Sequence, residues 1–213
     1  ERSKIIDVHK SLSDPNKKIP AIVAPAINGQ FDASPAQILA AIKRIGFDDV
    51  IEVALGAEDT SRNEAAELQE RIAEGQPFMT TSCCPAYTGW VDKHAPMLKP
   101  FVSETRSPMV YAARRVKAAD PEMEVVFIGP CLAKRNEADS VPEVDYVMSF
   151  EELGAFMVAY GVEVDKNEVT EPLNPEITKF SRGYAMAGGV RNAIVNAVGD
   201  GYTTINIEGL DKK

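Results

Sequence analysis

The apolar positions of this chain fall into short β-branched runs separated by longer stretches of helical spacing. IPAIVAP (19–25), DVIEVAL (49–55), EVVFIG (124–129) and VDYVMS (144–149) each read as a buried strand. Between them lie helical patterns. Ser34 and Pro35 stand as N-cap and first helical position of AQILAAIKRI, which stops at Gly46. A polar helix runs from about Thr60 to Ala73 and closes at Gly75. AYTGWVDKHA (86–95) and SPMVYAARRVKAA (107–119) follow, the latter begun by Ser107-Pro108. Ser149 is placed to cap EELGAFMVAYG, with Glu152 completing a capping box. GGVRNAIVNAV, from Gly188, is a last glycine-led helix. Strands alternating with helices predict an α/β fold with parallel sheets covered by helices on both faces.

Composition narrows the class. The 213 residues carry 32 acidic against 23 basic side chains, a net charge of −9, which disfavours binding driven by nucleic-acid phosphates. No apolar run approaches the roughly 20 residues that span a bilayer, so no membrane partner is expected. Three cysteines, two adjacent, are no disulfide framework, and a reducing cytoplasm is the expected setting. The chain opens on Glu1 and ends on TTINIEGLDKK, from which we expect a segment of a longer polypeptide.

The cysteines then become the candidate chemistry. FMTTS (78–82) leads into Cys83-Cys84, and EVVFIG leads through Pro130 into Cys131. In open α/β sheets, ligands gather beyond the carboxyl ends of strands. Cys83 and Cys84 also precede a helix, whose dipole favours thiolate over thiol. Thiolates bind soft metals and iron–sulfur clusters, although buried cysteines also serve as small hydrophobes. Glu64, Glu67 and Arg71 share one helix face at i, i+3 and i+7, the pattern of a solvated charged face or of a functional one. Lys134 lies three residues past Cys131, as an anion ligand or a surface charge. Gly188-Gly189 allows either a close ligand or tight packing.

TSCCPAY (81–87) and GPCLAKRNEAD (129–139) resemble the first two signature motifs of the [FeFe]-hydrogenase catalytic domain, and YAMAGGV (184–190) is similar to a later glycine-bearing segment of that family. The resemblance runs from IVAPAIN (22–28) to IEGL (207–210). It implies two lobes with the cluster site in the cleft between them, and residues 1–213 as part of that domain with its third motif missing. It implies an H-cluster, a [4Fe–4S] cluster joined to a di-iron subcluster, in the intact parent. Cys84 and Cys131 match two of the four cubane thiolates, and Cys83 the thiol that exchanges protons with the di-iron centre. Glu64, Ser103, Glu67 and Arg71 fall on the family's proton route. Lys134 matches the residue holding a cyanide ligand, with Glu137 after it, and Met109, Tyr184 and Pro25 fall at pocket-lining positions.

The sequence departs from the pattern in four places. Ala26 and Asn28 stand where many members have serine and arginine, Tyr87 where tryptophan is common, and Gly129 where methionine is frequent. The implied parent activity is reversible H2 oxidation with a ferredoxin-like electron partner, the segment itself being apo and inactive. A sensory iron–sulfur protein and an iron–sulfur assembly protein are the other expectations.

Overall fold

The computed structural model describes residues 3–169, 172–199, 201–207 and 209. Two positions of the IEGL end of the resemblance, Glu208 and Leu210, lie outside the described residues.

Four three-residue strands form one parallel sheet: β1 (Ala21–Val23), β2 (Val50–Glu52), β3 (Val126–Ile128) and β4 (Tyr146–Met148), in the order β2-β1-β3-β4. The register pairs Ile22 with Ile51 and with Phe127, and Phe127 with Val147. β1 and β3 are buried throughout, as their unbroken apolar sequences require of central strands covered on both faces. The chain leaves β1 toward β2 on one side and later returns to β3 on the other. The order therefore reverses between β1 and β3, and the crevice beyond their carboxyl ends is where such sheets place a site. Pro25 leaves β1 there, and Gly129-Pro130-Cys131 leaves β3.

The helices follow the predicted periodicity with instructive differences. α2 (Pro35–Ile45) starts on a capping box between Ser34 and Gln37, and α7 (Phe150–Ala159) on the predicted one between Ser149 and Glu152. α4 (Pro85–His94), α5 (Pro108–Ala119) and α9 (Gly189–Val198) lie where expected. α3 (Ala54–Ala73) begins six residues earlier than Thr60, so the predicted strand 49–55 ends in helix. Gly56 looks like a breaker in sequence, yet it sits inside α3 because α5 crosses there at backbone contact. A Cβ at Gly56 would lie 2.1 Å from the Pro108 carbonyl oxygen. FMTTS is not a full strand either: its one pairing is a parallel bridge from Thr80 to Val102. Three helices were not read from the sequence: α1 (Ile5–Leu12), α6 (Ala133–Ala138) and α8 (Lys179–Arg182).

The core is built on the sheet and the inner faces of α2, α5 and α7, with Ile22, Ile38, Ile42, Ile128, Met148 and Leu153 among its fully buried side chains. Opposite it, α3 packs between α5 and α9. Arg182 fastens α8 to the sheet through a two-pronged bond to Glu52 at the end of β2, both contacts at 2.8 Å. Among the described residues, no helix is long and apolar enough to cross a membrane.

Candidate functional site

Cys84 is the N-cap residue of α4, with Pro85 at the first helical position, so the backbone turns at the two cysteines and presents them ahead of the helix. Cys131 stands in the turn between β3 and α6, and its carbonyl accepts from the Lys134 amide at 3.1 Å. α4 and α6 pack together. Lys134 closes the gap between the two segments: its buried Nζ donates to the Cys83 carbonyl at 3.2 Å and pairs with Glu137 at 2.6 Å. The ammonium is thus inside the site and not a surface charge. All three cysteines are free; Cys84 is exposed, and Cys83 and Cys131 are partly buried.

The Glu64–Glu67–Arg71 face of α3 is interior at one end and open at the other. Glu64 is 0 % exposed, which removes the reading of a solvated face. Its Oε1 accepts from the Ser82 amide at 2.9 Å, and Ser82 is the residue before Cys83. Burial pushes the Glu64 carboxyl up to about 7, against the pull of the Ser82 and Ser103 hydrogen bonds. Glu67 behaves oppositely. Burial would raise it, but the Ser103 hydroxyl, the Glu104 amide, the Thr105 hydroxyl and Arg71 together hold it below the usual carboxylate range. These contacts are short: Ser103 Oγ at 2.5 Å, Thr105 Oγ1 and the Glu104 amide each at 2.9 Å, and Arg71 Nη2 at 2.6 Å. Beyond Arg71, which also donates to the Pro100 carbonyl, lies an open cleft of ≈ 720 Å³ edged by Glu70, Glu74 and Glu104.

The helix-dipole expectation for Cys83 is overturned. Burial pushes its thiol up to about 12, the Glu64 charge adds to this, and Lys134 only partly opposes it. Cys83 is held as a thiol, because desolvation outweighs a dipole that favours the anion. The site thus holds a protonated thiol, a buried carboxyl that titrates near neutrality, and an ionised Glu67 bonded by Ser103 and Arg71.

The remaining predicted positions separate. Pro25 opens a 3-10 turn that packs against the 3-10 turn Gly183–Ala185, which brings Pro25 and Tyr184 to the same end of the sheet. Met109 is 1 % exposed in α5, within the hydrophobic core. Gly188 adopts φ +71°, and a Cβ on Gly189 would lie 2.0 Å from the Gly183 carbonyl oxygen. A left-handed backbone accounts for Gly188 and tight packing for Gly189. Sequence reasoning missed Ser82, whose amide and hydroxyl bond Glu64, and Thr105, whose hydroxyl bonds Glu67. Their adjacency to Cys83 and to Ser103 was the available signal.

A [4Fe–4S] cluster takes four thiolates. Cys84, Cys131 and the buried ammonium fit one side of such a group, and the only other cysteine of the 213 residues is Cys83. Among the described residues no group of three or more His, Cys, Asp or Glu side chains could hold a metal ion.

The high Glu64 value has a consequence for stability. A carboxyl raised from 4.5 to about 7 binds more protons folded than unfolded, so its contribution falls as pH rises between those values. The melting temperature of the wild type, relative to Glu64→Gln, is expected to drop between about pH 5 and about pH 8. A constant difference across that range would remove the buried-carboxyl assignment.

A family model described as "Iron only hydrogenase large subunit, C-terminal domain" matches residues 17–213. Iron hydrogenase 1 of Clostridium pasteurianum is 25% identical over 241 residues, covering 100% of this chain and 42% of that protein. A solved structure of a variant of [FeFe]-hydrogenase HydA1 from Chlamydomonas reinhardtii superimposes with a TM-score of 0.79 at 27% identity, over 99% of this chain and 61% of that one. The cytosolic Fe-S cluster assembly factor NAR1 of Eremothecium gossypii is 31% identical over 116 residues, which is 53% of this chain and 26% of that protein.

Proposed function

The chain belongs to the family of C-terminal domains found in the large subunits of iron-only hydrogenases, and from that premise we propose that it forms one side of a hydrogenase active site, with Cys84 and Cys131 as two of the cluster's four thiolate ligands. It spans 42% of the Clostridium relative's length, and the other two ligands must come from outside these 213 residues. The whole protein then interconverts H2 with two protons and two electrons in the cytoplasm, exchanging electrons with a ferredoxin-like partner. The segment by itself is apo and inactive.

One observation supports this reading: Lys134 holds the Cys83 carbonyl across the two cysteine segments, and behind Cys83 stands the buried Glu64, with Glu67 and Arg71 on the same helix face out to the open cleft. When bound, the H-cluster supplies the redox chemistry that cleaves or forms the H–H bond. The polypeptide supplies the rest. Lys134 Nζ offers a buried positive charge, which offsets the cost of burying an anionic ligand. Cys83 Sγ holds a proton at the site. Glu64 accepts or returns it, because a carboxyl titrating near neutrality can do both at ordinary pH. Ser103 Oγ connects Glu64 to Glu67, and Arg71 keeps Glu67 ionised at the edge of the cleft.

The likeness to NAR1 favours a second reading, an iron–sulfur assembly protein without H2 chemistry. Such a protein has no use for a buried Glu64 or for a hydroxyl joining two carboxylates. An H2-sensing role would use the same site at low turnover. The deciding assay is dye-coupled H2 oxidation and evolution by the full-length protein after anaerobic cluster loading, beside a Cys84→Ala/Cys131→Ala variant. Turnover in the wild type, with neither iron nor turnover in the variant, is the expected result. A fully loaded wild type that neither consumes nor evolves H2 would sink the catalytic reading in favour of the assembly one.

A further inference from the structure

Buried polar atoms are normally paired with protein or with ordered water. Three at this site have no partner among the described residues: Glu64 Oε2, Ser61 Oγ and Tyr184 Oη. They arrive from separate elements. Ser61 and Glu64 lie one helical turn apart on α3, so they share a face, and Tyr184 comes from the turn between α8 and α9. The packing of α3 against both α8 and α9 brings them together. Burial raises the Tyr184 phenol far above its usual range. The Glu64 charge adds to this, whereas the Ser61 hydroxyl opposes it from beside Oη. Tyr184 is thus a neutral hydroxyl donor at every ordinary pH.

The two oxygens of Glu64 are not equivalent. Oε1 is committed to Ser82, through the amide at 2.9 Å and the hydroxyl at 3.4 Å. Because Oε1 already accepts from donors, a proton on the carboxyl belongs on Oε2, the oxygen without a partner among the described residues. A single water molecule would satisfy the whole set, accepting from Ser61 and Tyr184 and exchanging a hydrogen bond with Oε2. Buried waters typically make about three such bonds.

We propose that Ser61 and Tyr184 are positioning residues for Glu64, closing with its Oε2 around one internal water and fixing the face of the carboxyl on which its proton sits. The polarity of these two residues is otherwise unexplained. An apolar side chain at either position would pack the same interior without burying an unpaired hydroxyl. For its catalytic consequence this inference rests on the proton route described above; for its geometry it does not.

Infrared difference spectra, wild type minus Glu64→Gln, isolate the Glu64 carboxyl bands in the purified full-length protein before cluster loading. Tyr184→Phe and Ser61→Ala are each expected to shift those bands, since each removes a partner of the water held at Oε2. After loading, each variant is expected to lower kcat about two- to tenfold, the weight of one net hydrogen bond, with KM for H2 unchanged. Carboxyl bands that coincide in wild type and both variants would overturn the arrangement, whatever the H2 assay gives. If Tyr184→Phe fails to fold, Ser61→Ala decides alone. Shifted bands in a protein without H2 turnover would keep the arrangement and remove the hydrogenase reading instead, so the two failures are distinguishable.

Discussion

Glu64→Gln is expected to lower H2 turnover by about 10²–10⁴-fold while iron content and fold stay as in the wild type. Glutamine has nearly the volume of glutamate and can still accept from the Ser82 amide, so the packing around α3 survives. What it cannot do is take up and release a proton. On the proposed route a proton between Cys83 and the cleft passes position 64, which is fully buried. The loss falls on kcat, since H2 itself has no polar group for a carboxyl to recognise. Folding does not suffer: removing an ionisable group whose charge is costly to bury leaves the variant increasingly favoured over the wild type as pH rises from about 5 to about 7, and so thereafter. Turnover within twofold of the wild type would show that protons leave by another way. The measurement is dye-coupled H2 evolution alongside iron analysis of the same preparations.

Gly56→Ala is expected to cost about 3 kcal/mol or more, at the upper end for overpacking, and to lower the melting temperature by about 10 °C. The added Cβ would lie 2.1 Å from the Pro108 carbonyl oxygen and 2.7 Å from the Ala112 amide nitrogen. Both are backbone atoms, so no side chain can rotate away, and α3 must lift from α5. Domain stability is of the order of 5–15 kcal/mol, so one methyl removes a large share of it. Gly154 in α7 supplies the control, because nothing lies within 4 Å of a Cβ built there. Gly154→Ala is expected to gain up to about 1 kcal/mol through helix propensity. Equal effects of the two substitutions in thermal unfolding would refute the close crossing.

The contrast between these glycines shows what the sequence could carry. The buried strands are legible in VVFI and AIV, because unbroken β-branched runs have few other homes. The start of α7 is legible because Ser149 and Glu152 stand at capping-box spacing. The start of α3 is not. Residues 49–55 read as a strand, and only the approach of α5, more than fifty residues later, makes a glycine the residue that fits inside that helix at position 56.

The site divides along the same line. Spacing along one helix puts Glu64, Glu67 and Arg71 on a shared face but says nothing of depth. Depth comes from Ser82, Ser103 and Thr105, which arrive from a different part of the chain. For the same reason the dipole argument failed at Cys83: the local term is visible in sequence, and the larger desolvation term is made by tertiary packing. α1 escaped notice because its apolar face, centred on the fully buried Val8, is one short helical stripe in a mostly polar opening segment.

The hydrogen bond from Lys134 to the Cys83 carbonyl joins residues 51 positions apart. It works as a latch without a covalent bond. Were it absent, the turn at Cys84 and the turn at Cys131 could fray separately, each at the low cost of a surface loop. With the ammonium buried and paired to Glu137, releasing the Cys83 carbonyl costs a charge-assisted hydrogen bond, so each turn is steadier while the other is in place. The partly buried thiols of Cys83 and Cys131 are therefore coupled in their exposure, and loosening at one turn makes loosening at the other easier.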